Sequence, residues 1–162
     1  MKFTIQILAI SLLLANSACV PKKAQKIPLP VVYPTDVDGF ITPIVHFAKN
    51  SAVICPASYN LLQDVANIIK SNQNKICKVI LEGHSDSLGI DSVNYKIALR
   101  RAQAVKQDLI SRGVPSGLLE VVSHGESWPI DYNDNELGRA KNRRVELKTE
   151  NCSSVESKPV LP

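Results

Sequence analysis

The chain has 162 residues, is 44% hydrophobic and 21% charged, and carries a formal net charge of +4; these values fit one globular domain and exclude a disordered or fibrous chain. The basic residues are spread along the sequence and aromatics make up 5% of it. There is therefore neither the basic stripe nor the stacking platform of a nucleic-acid binder, and no nucleic-acid partner is expected.

In chain order, residues 1–18 read as an export signal. Lys2 gives a thin positive start, IQILAISLLLA (5–15) is an apolar core too short to span a bilayer, and the small residues ANSA (15–18) lead directly to Cys19. That placement predicts a lipoprotein signal, cleaved before Cys19 and acylated there. Asn16 stands where that pattern usually has Leu, and ordinary cleavage without lipid is the alternative. Either way the chain leaves the cytoplasm, for a compartment that permits disulfides. Residues 19–43 carry five prolines and no helical period, which predicts an extended, semi-rigid tether.

IVHFA (44–48) predicts a short buried strand. Pro56 suits the first position of a helix, and Leu61, Leu62, Val65, Ile68 and Ile69 keep a helical period to about Lys70. SNQNK (71–75) is a turn, and VIL (79–81) the centre of a second strand. Ser92 is a candidate cap for a second helix. That helix has a face carrying Ile97, Ala98, Ala102, Val105 and Leu109, and it stops at Gly113. LLEVV (118–122) and the alternating RVEL (144–147) predict two more strands, and residues 151–162 a frayed tail. The order βαβαββ predicts an α+β fold with helices packed on one face of a sheet.

Three motifs then stand in order. GHSD (83–86), followed by Leu88-Gly89, Asn94 and LRRA (99–102), resembles the core motif of the OmpA-like peptidoglycan-binding domain, which is also found in peptidoglycan-associated lipoproteins. SHGESWP (123–129) and LGRAKNRRVEL (137–147) resemble that family's next two segments, so the resemblance covers residues 44–150. It implies a mixed four-stranded sheet in the order 1-4-2-3, strand 4 antiparallel to the rest. It also implies noncovalent binding of the diaminopimelate residue of the cell-wall stem peptide. Asp86 and Arg101 match the two residues that hold diaminopimelate, Asn94 matches the one that shapes the pocket, and Leu88 and Gly89 complete the motif loop. Departures are Ser85 for the usual Thr, Ala98 for a Ser, and Phe47-Ala48-Lys49-Asn50 where an aromatic alternates with Asp or Asn.

The chemistry suits these residues. Diaminopimelate ends in a carbon bearing an ammonium and a carboxylate; Asp86 matches the first, and the forked guanidinium of Arg101 the second. On their own, an Asp after a strand is more often a turn cap, and an Arg on a helix is more often solvated surface. The implied strand order also brings the exit of strand 4 beside the entry of strand 2. A Cys77–Cys152 disulfide with Cys55 free is therefore expected.

Other readings have less support. His84, Ser85 and Asp86 carry the letters of a hydrolase, but consecutive strand residues alternate faces and cannot form a relay. No GxSxG elbow is present, and no enzyme activity or cofactor is expected. His46, His84 and His124 lie on or beside predicted strands without a ligand-spacing motif, so no metal is expected. Arg143 and Arg144 are expected in structural salt bridges around Glu126 and Asp134, and Trp128 as a partly buried packing residue. The resulting expectation is a bacterial outer-membrane lipoprotein whose periplasmic domain grips peptidoglycan. The alternative is an OmpA-like lipoprotein subunit of an envelope machine such as a secretion-system outer-membrane complex.

Overall fold

The computed structural model describes residues 43–152; the expected signal segment, Cys19, the tether up to residue 42 and the tail from 153 lie outside the described residues. The elements are β1 (Ile44–His46), α1 (Tyr59–Ser71), β2 (Ile76–His84), α2 (Asp91–Ser111), β3 (Leu119–Gly125), α3 (Glu136–Asn142) and β4 (Arg144–Asn151). The four strands form one sheet in the order β1-β4-β2-β3. β2 and β3 are parallel, while β4 runs antiparallel to both β1 and β2. This is the mixed sheet expected, and the fold class is α+β. Among the described residues no helix is long and apolar enough to cross a membrane.

Periodicity explains the packing. In α1 the buried residues Leu62, Val65, Ala66 and Ile69 recur at helical spacing. In α2 the buried set is Asn94, Ala98, Arg101, Ala102, Val105 and Leu109, so two polar residues share the stripe that faces the sheet. Alternate strand residues Val79, Leu81, Val145 and Leu147 join the same core. Between β2 and α2 the backbones nearly touch: a Cβ built on Gly83 would lie 2.1 Å from the Ala98 carbonyl oxygen, so only glycine fits there. α2 ends as expected, with Gly113 at a φ of 88° and the Val114 N–H donating to the Leu109 carbonyl.

Several local expectations change. α2 begins at Asp91, not after Ser92, with Ile90 at the cap position and no side-chain cap. Asp91 in the first turn complements the helix dipole without one. A third helix, α3, occupies what reads as part of a closing strand motif; the Asn135 side chain accepts the Gly138 N–H at 2.9 Å and starts it. β4 continues to Asn151, and the Cys152 N–H donates to the Lys75 carbonyl, so the fold extends past residue 150. Cys77 and Cys152 form a disulfide across the β2 entry and the β4 exit, 75 residues apart in sequence. Cys55, expected free, is not a free thiol.

Candidate functional site

The site lies where β2 ends and α2 begins. The Ser85 N–H donates to the Gly125 carbonyl at 2.7 Å, which holds the end of β2 against β3. The Asp86 side chain then does two things. Its Oδ1 accepts the Leu88 N–H at 3.2 Å, a turn-forming bond two residues on. Its Oδ2 accepts Arg143 Nη1 at 2.8 Å, in an ion pair whose side chains are 9% and 6% exposed. Gly89 closes the turn at a φ of 109°, a conformation that favours glycine. Leu88 is exposed at the rim. Asn133 Oδ1 accepts the Ser87 N–H and ties this turn to the loop after β3.

Arg101 is 1% exposed, and three backbone carbonyls hold its guanidinium: Nε donates to Ser51 O at 2.9 Å, Nη1 to His84 O at 3.0 Å and Nη2 to Ala48 O at 3.2 Å. Its Cζ lies 5.6 Å from the centre of the Phe47 ring. The segment after β1, not the loop before α2, therefore covers it. Burial pushes the Arg101 guanidinium down to about 10; the Asp86 carboxylate opposes that shift and the Arg143 charge adds to it. Asp86 and Arg101 are thus close enough to interact electrostatically, but the direct partner of Asp86 is Arg143. Asn94 is buried and donates from Nδ2 to Glu126 Oε2.

Arg143 and Arg144 make structural salt bridges as expected, but with partners other than Glu126 and Asp134. Besides Asp86, Arg143 holds Glu136 Oε1 at 2.7 Å and the Phe47 carbonyl at 3.3 Å. Hydrogen bonding to Arg143 keeps the Glu136 carboxyl below its usual range. Arg144 binds Glu146 at 2.6 Å and the Trp128 carbonyl at 3.2 Å. Asn142, unremarked in the sequence, is fully buried and stitches the loop before α3: its Oδ1 accepts the Ile130 and Asp131 N–H groups, and its Nδ2 donates to Asp131 O and Asn133 Oδ1. Trp128 is 57% exposed rather than partly buried, and stacks on His124 with centroids 4.1 Å apart. The arrangement sets one buried carboxylate near two guanidinium groups beside a helix start, and these are groups that complement a ligand carrying both signs of charge.

Known proteins share this fold. Residues 46–143 match the OmpA family. The chain is 40% identical over 106 residues to outer membrane porin F of Pseudomonas fluorescens, covering 65% of this chain and 32% of the porin. It is 37% identical over 103 residues to the peptidoglycan-associated lipoprotein of Pseudomonas putida, covering 64% of this chain and 60% of the lipoprotein. The chain thus spans between about a third and three fifths of these relatives. The crystal structure of the peptidoglycan-associated lipoprotein from Burkholderia pseudomallei matches with a TM-score of 0.63 and 29% identity, over 66% of this chain and 89% of that one. The C-terminal domain of Helicobacter pylori MotB matches equally well in fold, with a TM-score of 0.63 and 25% identity, over 72% of this chain and 98% of that domain. With its strand order and a family match that spans residues 46–143, the chain belongs to the OmpA family.

Proposed function

We propose that this domain binds peptidoglycan noncovalently, holding the ammonium of a diaminopimelate end with Asp86 and its carboxylate with Arg101. The observation that carries this reading is the buried Asp86 carboxylate, set near two guanidinium groups at the turn between β2 and α2. Arg101 spends three of its five N–H donors on backbone carbonyls and keeps donors for a carboxylate. Asn94, Leu88 and Gly89 form the wall and rim of the same pocket. In this reading Cys19 carries lipid, the chain is anchored to the outer membrane facing the periplasm, and the domain has no catalytic role.

The test is co-sedimentation with purified sacculi. Asp86→Asn keeps an oxygen for the Leu88 N–H and a polar group facing Arg143, which retains Glu136 as its ionic partner. The carboxylate charge is lost to ligand and Arg143 alike, so stability is measured beside binding. Losing one partner of a buried charge pair costs about 2–5 kcal/mol, and about 3 kcal/mol is more than a hundredfold in affinity. Asp86→Asn should therefore fall out of the pellet while its circular dichroism stays native. Arg101→Lys keeps the charge but loses the fork, and should also bind poorly. Arg100→Ala, one position round the helix on an exposed residue, should bind normally. A folded Asp86→Asn protein that sediments like wild type would overturn the reading. Stoichiometric co-purification of envelope proteins would then favour a subunit role in a larger machine, and clearing of peptidoglycan by the pure protein would favour an enzyme.

A further inference from the structure

A second cluster lies on β2 and β3, just before the turn that carries Asp86. Glu82 and His84, two residues apart on β2, point to the same face of the sheet. β3 meets them through a bulge: Gly83 pairs with Ser123 and His84 with Gly125, so His124 is the extra residue. A bulge re-aims side chains, and here the His124 ring stacks against His84 at a centroid distance of 5.1 Å. One ligand atom from each of Glu82, His84 and His124 lies within 4.8 Å of the other two.

The polar accounting of this cluster does not close. His84 is 1% exposed, yet both its ring nitrogens lack hydrogen-bond partners, as does the buried Nε2 of His124. Buried polar atoms are nearly always paired, and leaving one unpaired is costly. His124 Nε2 approaches Glu82 Oε2 only to 3.7 Å, too far for a hydrogen bond.

We propose that Glu82, His84 and His124 bind a divalent transition cation such as Zn2+, with the fourth position open to water. Two imidazoles and one carboxylate are a donor set that suits such an ion. Ligand atoms around a tetrahedral zinc stand about 3.3 Å apart, so small side-chain rotations close the observed spacing. Glu146 Oε1 lies 4.0 Å from His84 Nε2, beyond hydrogen-bond reach, and is held by Arg144 Nε at 2.6 Å, so it adds negative charge beside the cluster without fixing the imidazole. Lys148 competes with the cation, since its Nζ holds Glu82 Oε2 at 2.6 Å. That side chain is 43% exposed and swings into water to admit the metal. Wall binding is not part of this site.

Trp128, the single tryptophan of the chain, stacks on His124 and reports on it. The experiment uses the full chain without a histidine tag, stripped with chelator. Zn2+ is titrated by calorimetry and Cu2+ by quenching of Trp128 fluorescence. One saturable site per chain is expected. His124→Gln, at the edge of the cluster where folding is least at risk, should weaken it by at least about tenfold. Lys148→Met should tighten binding, an effect that a merely structural cluster would not show. His46→Gln, outside the cluster, should change nothing. Absence of saturable uptake by the wild type overturns the proposal. So does uptake that His124→Gln leaves intact or that His46→Gln abolishes.

Discussion

Asp86 is held in place by Arg143, a residue 57 positions away, and the pair is almost wholly buried. Breaking a buried pair from one side strands a charge and costs about 3–5 kcal/mol. Arg143→Met should therefore destabilise the domain by about that amount in urea titration, and adding Asp86→Asn should recover part of the loss, because the second change neutralises the stranded carboxylate. An additive double mutant would show that the two side chains do not depend on each other. Gly83 sets a second limit at this scale. Its missing Cβ leaves room for the Ala98 carbonyl. Gly83→Ala must push backbone against backbone and should cost about 3 kcal/mol or more, read as a fall in Tm of roughly 10 °C or more. How much of the site the sequence reveals follows from the same contacts. Asp86, Asn94 and Arg101 follow from the family resemblance of the motifs that hold them, and the structure buries all three while leaving Arg100 exposed. Arg143 makes the structural salt bridges expected of it, but with Asp86 and Glu136, since nothing local tells which of several acids a guanidinium between α3 and β4 will meet. The grouping of Glu82, His84 and His124 is not legible in the sequence, because spacing motifs assume ligands close in sequence, whereas a bulge brings these together from two strands.

Among elements, α1, α2 and all four strands were legible because each carries a run of apolar residues at its own period. α3 was not: in its seven residues only Gly138 and Asn142 are buried, so no apolar stripe announces it. Asn135 followed by Glu136 was the available signal, a cap residue and then an acid in the first turn. Gly138 shows why the helix sits where it does, since a Cβ there would lie 1.9 Å from the Tyr132 carbonyl oxygen. The Cys77–Cys152 bond joins elements that are neighbours in the sheet but 75 residues apart in the chain. Closing a loop of that length removes chain entropy worth about 4 kcal/mol from the unfolded state. Cys152→Ser should lower the stability by about 2–4 kcal/mol, with amide exchange accelerating first at the end of β4. An unchanged denaturation midpoint would mean that the bond holds nothing the sheet does not already hold.

On the scale of the whole molecule, the proposed anchor and the proposed pocket act at opposite ends of one tether. Two acyl chains make membrane attachment stable where one does not, so Cys19→Ser should move the protein from the membrane to the soluble periplasmic fraction without changing its affinity for sacculi. Peptide mass mapping that finds Cys19 without added lipid would refute the anchor. One topological fact reaches further. β4, the last strand among the described residues, lies between β1 and β2. A polypeptide delivered from its N-terminus cannot close this sheet while residues 144–151 are still inside the ribosome or a translocation channel. Until they emerge β1 has no neighbour and β2 offers a bare edge, the kind of edge that recruits other strands. Every chain cut short before residue 144 keeps that edge for good, and becomes visible to chaperones and proteases by the same opening that β4 seals once it is made.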